Sequence, residues 1–495
     1  MGPSSAAEIM VVDTERDRDD NENQYPELVE FEDPDDPTHP LNWSVPWKSW
    51  ITFVVAILNL IGTVASSIFE TGNHQFMKHF MKHFNISDEV AVLGTSLFLV
   101  GYIFGFLTFG PLSERFGRKW PMLLGIAISS IFDIMPATGT SVAAVLIGRF
   151  FGGFFGVAPV GIFGGIMSDI WPMRHRGIAM ALAVSFVFSG PTFGPVFGGF
   201  VMGDKNLDWR WNMWVVIIVG LAASAICAVT FPETYPATIL RSKARRLQKK
   251  TKNPNIKTAA DKEALTMDTI VRVYMIRPFW LFTTQPILAL LTIYQSFVYG
   301  VLFLFYQTYP VAFGDNRGWS MTLRYLPLMA IITGVFLGSL GIVLHNQLYF
   351  RHHCQAPDGT FIPESRLPPM IVGGIMVPIG MFWFAWAATP AVSWGSSICA
   401  SLVIGCGMYL IFIQGFNYIV DCYTSMANSA MGVNGSMRSV FGAVFPLFAN
   451  QMVQALGVAR TVTVLGGLSV ALVPVPIVFW YRGDRIRAWS SAKVV

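Results

Sequence analysis

Long apolar segments of similar length follow one another along most of this chain. They cover roughly residues 48–69, 91–112, 121–139, 142–168, 177–201 and 213–231 and, after a polar stretch, 279–306, 322–344, 369–388, 393–417, 427–451 and 461–481. Each is close to or longer than the ~20 residues that an α-helix needs to cross the hydrocarbon core of a bilayer. The pattern therefore predicts an all-α membrane protein with twelve transmembrane helices, six on each side of the polar stretch.

The composition excludes a large soluble protein. Hydrophobic residues make up 53% of the 495 positions and charged residues only 13%, whereas soluble domains carry about a quarter charged residues. The five cysteines are scattered without a CxxC pair, so they predict neither a disulfide framework nor a metal site, and no motif calls for a cofactor. A net charge of +4 gives no reason to expect a nucleic-acid partner. The expected surroundings are a lipid bilayer.

The polar segments divide the chain into five parts. Residues 1–46 are acidic and predict a disordered cytosolic tail. Residues 47–231 form a first six-helix bundle, 232–278 a basic cytosolic linker, 279–481 a second bundle and 482–495 a cytosolic C-terminal tail. The polar start is unlike a cleavable signal peptide, so the apolar run near Trp47 is expected to act as an uncleaved anchor.

Lysine and arginine in the loops predict the orientation. With the N-terminus inside, the inner segments hold 22 of these residues, eleven of them in the linker, and the outer loops hold 7. Both termini are therefore expected in the cytosol. The linker is either a solvated loop that follows this charge rule or a surface that contacts anionic lipids.

The outer loop after the first span repeats a short sequence, Phe76–Phe80 and then Met81–Phe84. His79 and His83 would share one helical face. Two interpretations are possible: a metal site that includes His74, or an amphipathic turn at the membrane surface. Asn85 begins an Asn-Ile-Ser glycosylation sequon on the outer side.

The loop between spans two and three is dense in glycine and basic residues. It reads Gly110-Pro111-Leu112-Ser113-Glu114-Arg115-Phe116-Gly117-Arg118-Lys119. Such a loop ties two helices together at the cytosolic face, and Glu114 is expected to pair with Arg118 and cap a helix end.

This loop resembles the signature of the major facilitator superfamily, Gly-x-Leu-x-Asp-Arg-x-Gly-Arg-Lys. The matches are Gly110, Leu112, Arg115, Gly117, Arg118 and Lys119, and Glu114 stands where the family has Asp. The resemblance implies two pseudo-symmetric six-helix bundles and a gate latch at this loop. A degenerate copy from Gly341 to Arg351 fits two related halves.

Span four carries Arg149, a charged residue that is costly inside a membrane. The segment Arg149-Phe150-Phe151-Gly152-Gly153 resembles the family motif Arg-x-x-Gln-Gly, which implies proton transfer, although Gly152 replaces the glutamine. A purely structural arginine held by backbone carbonyls is the alternative.

Span five contains Gly190-Pro191-Thr192-Phe193-Gly194-Pro195-Val196-Phe197-Gly198-Gly199. Pro191 and Pro195 should bend the helix, and Gly190, Gly194 and Gly198 give a flat face for close packing. The pattern resembles the signature of drug/proton antiporters and implies export; a packing seam without directional meaning is the alternative.

Further segments resemble fungal members of that twelve-span branch, which export drugs, polyamines or secondary metabolites. They are Asp208–Trp211, Pro232–Tyr235, Asn417–Asp421 and Arg438–Gly442. We expect Arg438 to pair with Asp421 or with the Glu114 cluster.

The resemblance places a substrate cavity between the halves, lined by spans one, four, seven and ten. The polar and aromatic candidates there are Asn59, Gln295, Tyr299, Tyr409, Gln414 and Asn417. Carboxylates in the spans are few, with Asp133 in span three and Glu70, Asp169 and Asp421 near span ends, which argues against polyamines. Asp133 and Glu70, with Arg149, are the proton-coupling candidates.

These patterns together predict a monomeric, proton-coupled exporter of a small organic molecule, a secondary metabolite, toxin or drug. The expected site is the plasma membrane, with the vacuolar membrane as the alternative. An uptake permease on the same fold is the first rival. No catalytic spacing of His, Asp or Glu appears in the spans, so we do not expect an enzyme. A non-transporting membrane sensor is the remaining rival, and the short tails argue against it.

Overall fold

A computed structural model describes residues 29–69, 88–258, 275–350 and 362–491, with short gaps at 32, 34, 140, 205 and 254, together with residues 272 and 353–355. Within these residues the chain is almost entirely helical, and it contains no β-strand. The prediction of an all-α membrane protein is confirmed.

The first bundle contains six membrane-spanning segments. They are Val45–Ser67 (span one), Asp88–Phe116 (span two), Lys119–Phe132 with Ile134–Thr138 (span three), Val142–Gly156 with Ala158–Ile170 (span four), Met173–Gly203 (span five) and Trp211–Thr230 (span six). We call the end of the molecule at which spans two, four and six end the linker face, and the opposite end the far face.

The polar stretch between the bundles contains its own helix, Pro236–Thr251. Its apolar residues Ala244, Leu240 and Leu247 pack with Ile256 and with Val29, which comes before span one. The Val29 backbone N–H also donates to the Lys257 carbonyl at 2.9 Å. The predicted disordered tail therefore has a structured part near residue 29, because it covers apolar side chains of the linker.

The second bundle is built in the same way. Its helices are Arg277–Thr284 and Pro286–Tyr309 with the turn Pro310–Asp315 (span seven), Leu326–Leu328 and Met329–His345 with the turn Asn346–Phe350 (span eight), Pro363–Arg366 and Leu367–Ala387 (span nine), Trp394–Cys422 (span ten) and Ala427–Leu472 followed by Pro474–Ser491.

The last of these segments folds back on itself and supplies two spans. In the described part of the chain, eleven helical segments are long and apolar enough to cross a membrane, and the last covers 62 residues, Ala427–Ala488. A straight helix of that length would measure about 93 Å. Gly457 breaks it with φ 76° and ψ 166°, and the Thr461 hydroxyl reaches the Met452 carbonyl at 3.2 Å. The chain therefore reverses at Gly457, which separates span eleven from span twelve.

The loop predicted at 110–119 is mostly helix. Span two continues through Pro111 to Phe116, and only Gly117 and Arg118 form the turn to span three. Gly117 has φ +89°, a conformation that favours glycine. The turn is therefore tighter than the sequence indicated, and it places Glu114 on the last turn of a helix.

Large apolar side chains cover the outside of the bundle. Val229, Ile226 and Trp386 are 87%, 63% and 64% exposed, whereas polar residues such as Asn59, Gln295 and Asn434 are fully buried. This is the reverse of a soluble protein, and it suits a surface that faces lipid.

Candidate functional site

A cavity of about 680 Å³ lies between the two bundles. Thr63, Tyr102, Gly161 and Phe188 line it from spans one, two, four and five, and Tyr299, Phe416, Asn434 and Arg438 from spans seven, ten and eleven. The volume is within the range of small-molecule sites, about 300–1,000 Å³. The cavity is therefore the candidate functional site, and both halves build it.

The cavity reaches the linker face. Among its lining residues, Ser168, Thr424 and Asn428 lie at that end and are exposed. Towards the far face the wall becomes aromatic and buried at Tyr102 and Tyr299.

Contacts between the halves close the far face. The Ser96 hydroxyl donates to the Ala443 carbonyl at 2.7 Å, and the hydroxyls of Thr192 and Tyr306 lie 3.2 Å apart. Gly199 packs so closely on Tyr325 that an added Cβ would lie 2.9 Å from its ring. Among the described residues, the cavity therefore opens towards the linker face and is closed by these contacts towards the far face.

The charged residues that line the cavity are mainly arginines. They are Arg118, Arg176, Arg277 and Arg438, against a single carboxylate, Glu114. Glu114 accepts a hydrogen bond from Asn428, which joins spans two and eleven at the linker face. The gate latch that the family resemblance implies at this loop remains a prediction, and the contact of Glu114 with Asn428 places Glu114 at the boundary of the two halves.

Arg438 lies at the inner end of the cavity among aromatic rings. Its guanidinium carbon is 5.1 Å from the ring centres of Tyr299 and Phe416, 5.8 Å from Phe412 and 5.9 Å from Phe106. The residue is 7% exposed, and its Nε has no hydrogen-bond partner.

The expected ion pair between Arg438 and Asp421 is wrong. The Asp421 carboxylate binds Arg366 instead, with Nε to Oδ2 at 2.9 Å. Asp421 ends span ten at the linker face, whereas Arg438 lies three turns into span eleven, so their separation along the bundle prevents contact.

The turn between spans two and three is held by two carboxylates. Arg118 binds Asp169 at 3.0 Å and the Ser113 hydroxyl at 2.7 Å. Glu233, which follows span six, accepts from the backbone N–H groups of Arg118 at 2.8 Å and Lys119 at 3.2 Å. Glu233 therefore caps the start of span three, whereas the sequence predicts a helix cap from Glu114.

The second half repeats this arrangement at a different place from the predicted copy. Arg366 opens span nine and binds Asp421 of span ten, as Arg118 opens span three and binds Asp169 of span four. The separations along the chain are 55 and 51 residues. This repeated Arg-to-Asp spacing was the signal that could have identified Arg366 and Asp169. The stretch from Gly341 continues span eight, as Gly110 to Phe116 continues span two, and Arg351 lies outside the described residues.

Arg149 is completely buried and bound mainly by backbone. Its guanidinium donates to the carbonyls of Gly94 at 3.0 Å, Ala65 at 3.0 Å and Ser66 at 3.2 Å. Asp133 lies 3.6 Å away, and neither of its carboxylate oxygens has a hydrogen-bond partner. Both alternatives for Arg149 thus have a structural basis, the carbonyl cage and the adjacent acid.

Arg149 connects to the cavity through one aromatic ring. Its guanidinium carbon lies 4.1 Å from the Phe98 ring centre, and Phe98 lies 5.3 Å from the ring of Tyr102. Tyr102 lines the cavity. The Arg149–Asp133 pair is therefore behind the cavity wall and not part of it.

The glycines of span five allow close contact with span one, as predicted. An added Cβ at Gly190 would clash with Thr63 and approach the Leu60 carbonyl to 3.1 Å; at Gly194 it would clash with Ser67 and lie 2.8 Å from the Ile68 nitrogen. Pro191 lines the cavity. Pro195 lies inside the same helix, Gly198 is buried, and Gly199 packs against the other half.

One of the six predicted cavity residues, Tyr299, lines the cavity. The other five are used between or within helices: Asn59 donates to Val55, Gln295 to Phe412, Tyr409 to Ala181, and Asn417 to Gln414. In this conformation the five residues are not among those that line the cavity, and these hydrogen bonds lie within or between helices.

The remaining predicted residues have separate positions. The Arg115 carbonyl accepts from Arg241 of the linker helix at 3.1 Å, and the Arg115 side chain is exposed. Glu70, His74, His79, His83 and Asn85 lie outside the described residues. Among the described residues no cluster of His, Cys, Asp and Glu could hold a metal ion.

Comparisons with known proteins agree on one family. Residues 51–446 match the family model of the Major Facilitator Superfamily. The chain is 41% identical to the MFS-type transporter oryN of Aspergillus oryzae, over 94% of this chain and 90% of that protein. It is 40% identical to the citrinin biosynthesis cluster MFS transporter mrr1 of Monascus ruber, over 94% of this chain and 92% of that protein.

A solved structure supports the fold. The proton:xylose symporter XylE aligns with a TM-score of 0.62 at 16% identity, over 89% of this chain and 96% of that chain. With the family model, the relatives and the two-bundle architecture in agreement, this chain belongs to the major facilitator superfamily and is a multi-pass membrane transporter, not an enzyme.

Proposed function

We propose that this protein exports a small organic molecule, a secondary metabolite, toxin or drug, in exchange for protons. The observation that carries the proposal is the cavity between the halves, which reaches the linker face and is closed at the far face. The positive charge of the linker and inner loops supports a cytosolic position for that face. A substrate would therefore enter the cavity from the cytosol.

Relatives support the direction of transport. Two of them are named for citrinin biosynthesis clusters, from Monascus ruber and Monascus purpureus. A transporter kept with a biosynthetic cluster has its substrate produced inside the cell. The Gly-Pro pattern of span five adds to the case for export.

Alternating access would require the far face to open and the linker face to close. Opening of the far face breaks Ser96–Ala443 and Thr192–Tyr306. The contact of Glu114 with Asn428 already joins the two halves at the linker face, and further contacts would form beside it as that face closes. The close packing of Gly190 and Gly194 on span one lets the first bundle move as one body. Rocking of the two bundles around the central cavity is the proposed motion.

Proton coupling is proposed for the buried pair in the first bundle. Asp133 has no hydrogen-bond partner and faces Arg149 at 3.6 Å, so a proton on Asp133 changes how strongly Arg149 is held. Movement of Arg149 is transmitted to Tyr102 through Phe98. Glu70, the other candidate acid, lies outside the described residues.

We further propose a monomer in the plasma membrane, with both termini in the cytosol. The exposed apolar belt, with side chains such as Val229 and Trp386, supports a lipid-facing surface on the single chain.

The test is a metabolite profile of the source cells and their medium, with and without the gene. A compound that accumulates inside on deletion, and is released again when the wild-type gene is restored, supports export. Loss of that release when a protonophore collapses the pH gradient supports antiport. A compound left unconsumed in the medium of the deletion strain would instead indicate uptake and overturn the proposal.

A further inference from the structure

We infer that the cavity binds its substrate as an organic anion, an aromatic carboxylate held by Arg438. This inference rests on the proposed function of the cavity and specifies its substrate class. The observation behind it is the buried guanidinium of Arg438, which has no anionic partner among the described residues.

Arg438 has no counter-ion in the part of the chain that the structure describes. Among the described residues no carboxylate lies within ion-pair distance of it, and its Nε lacks a hydrogen-bond partner. A buried, unpaired cation is costly, and contacts with aromatic rings offset only part of that cost. A carboxylate in the cavity would supply the missing partner, because the guanidinium fork matches a carboxylate in two parallel hydrogen bonds.

The other arginines match this ligand. Glu114 is the one carboxylate among the residues that line the cavity, and it lies at the mouth. Arg176 and Arg277 line the same path from the linker face towards Arg438. A low-dielectric cleft lined by charge of one sign raises the local concentration of the opposite ion, so anions are drawn in and organic cations are disfavoured.

The aromatic rings around Arg438 favour a substrate that carries a planar aromatic ring system. Tyr299 and Phe416 flank the guanidinium at 5.1 Å, and Tyr102 and Phe106 line the same end of the cavity. Planar ligands stack on such rings.

Asn434 adds a hydrogen-bond acceptor next to the cation. It lines the cavity one helical turn from Arg438, on the same helix face. Its Nδ2 donates to Gln295 at 2.7 Å, whereas its buried Oδ1 has no partner. A hydroxyl beside the substrate carboxylate would satisfy that oxygen.

The test uses three naphthalene probes and the full-length protein in nanodiscs. The probes are 3-hydroxy-2-naphthoate, its neutral methyl ester and 2-naphthylmethylammonium, with binding measured by titration calorimetry. We expect the wild-type protein to bind the acid at least about tenfold more tightly than the ester, and to bind the amine most weakly.

Variants assign the preference to one side chain. Arg438→Gln should weaken binding of the acid about ten- to a hundredfold and leave binding of the ester unchanged; Arg438→Lys should lie between. Arg460→Gln removes the same charge at an exposed position of the same segment, so it should bind all probes like the wild type. If Arg438→Gln does not fold, the comparison of acid and ester on the wild type still decides.

Equal binding of acid and ester, no binding of the acid, or a preference for the amine overturns the inference. So does export of a neutral or cationic metabolite that Arg438→Gln leaves unchanged, although the proposed export then stands. Conversely, Arg438-dependent binding of the acid without any compound retained on gene deletion supports the anion site and overturns export.

Discussion

The Nε of Arg366 donates a hydrogen bond of 2.9 Å to Oδ2 of Asp421 and so joins the start of span nine to the end of span ten. Arg118 and Asp169 make the equivalent contact in the first half at 3.0 Å. All four side chains lie at the linker face, each largely buried. Each half therefore has, at this face, the same type of ion pair between two of its own spans.

Reversal of charge should identify Asp421 and Arg366 as partners. Asp421→Arg or Arg366→Asp alone leaves buried like charges and should lower thermal stability, by roughly 3–5 kcal/mol in the free energy of unfolding. The double variant should recover much of that stability in a melting experiment on the detergent-purified protein.

The matched control combines Asp421→Arg with Arg438→Asp, which the structure does not pair. It should recover nothing. Recovery in this control rather than in the Arg366 double variant would contradict the contact.

Substitution of Gly117 should destabilise the turn between spans two and three. Gly117→Ala places a side chain at φ +89° and against the Glu233 carboxylate, and such backbone strain costs about 1–3 kcal/mol. The melting temperature should fall. Gly341→Ala is the control, because an added Cβ there meets no atom within 4 Å, and it should leave stability equal or slightly higher. Equal melting temperatures for the two variants would contradict the turn geometry.

Glu233→Ala should weaken the same turn by a different route. It removes the acceptor for the backbone N–H groups of Arg118, Lys119, Thr234 and Tyr235. Each buried N–H left without a partner costs about 1–3 kcal/mol, so limited proteolysis should cut the segment between spans two and three faster. Glu233→Gln keeps one carbonyl acceptor and should be intermediate; a cleavage rate unchanged in both variants would argue against the cap.

Gly194→Ala should slow transport by separating spans one and five. The added methyl clashes with Ser67 and the backbone of Ile68, and overpacking of this kind costs about 1–3 kcal/mol. Export of the compound found in the metabolite profile should fall. Gly467→Ala, where nothing lies within 4 Å of an added Cβ, is the control and should export normally. Similar export by both variants would show that the close contact of spans one and five is not needed for transport.

Two sets of variants can separate the structural role of the pair Arg149 and Asp133 from its proposed role in proton coupling. Arg149→Met leaves the buried Asp133 carboxylate without its neighbouring cation and three carbonyls without their donor, which should cost roughly 3–5 kcal/mol of stability. Adding Asp133→Asn removes the unpaired charge, so the double variant should melt higher than Arg149→Met alone.

Asp133→Asn by itself decides on coupling. Since the asparagine cannot release a proton, export by this variant should no longer follow an imposed pH gradient in vesicles. Export that still follows the gradient would leave Arg149 with a structural role only. Asp208→Asn, at an exposed residue paired with Arg210, should keep the gradient dependence.

The sequence by itself determined the elements. Apolar length, interruptions by Gly and Pro, and the charged gap near 232–278 are local properties. They predicted each span and the separation of spans eleven and twelve around Gly457, although the helices of spans seven, eight and twelve continue six to ten residues beyond the predicted ends. In lipid there is no water to bind the backbone N–H and C=O groups, so an apolar segment that crosses the membrane forms a helix, in which these groups bind each other. The motif at Gly110–Lys119 likewise marked the turn, because a positive φ at Gly117 is a local requirement.

Only the tertiary structure decided which polar side chains face the open space. Periodicity assigns a residue to a helix face, but the length of that face that borders the open space, and the length that packs on a neighbouring helix, depend on packing from both halves. Tyr299 therefore lines the cavity, whereas Gln295, one turn away, is used against span ten. The same applies to partners far apart in the chain: Asp421 binds Arg366, and Arg438 is left among aromatic rings, because ion pairs follow the distance between helix ends and not the presence of opposite charges in the sequence.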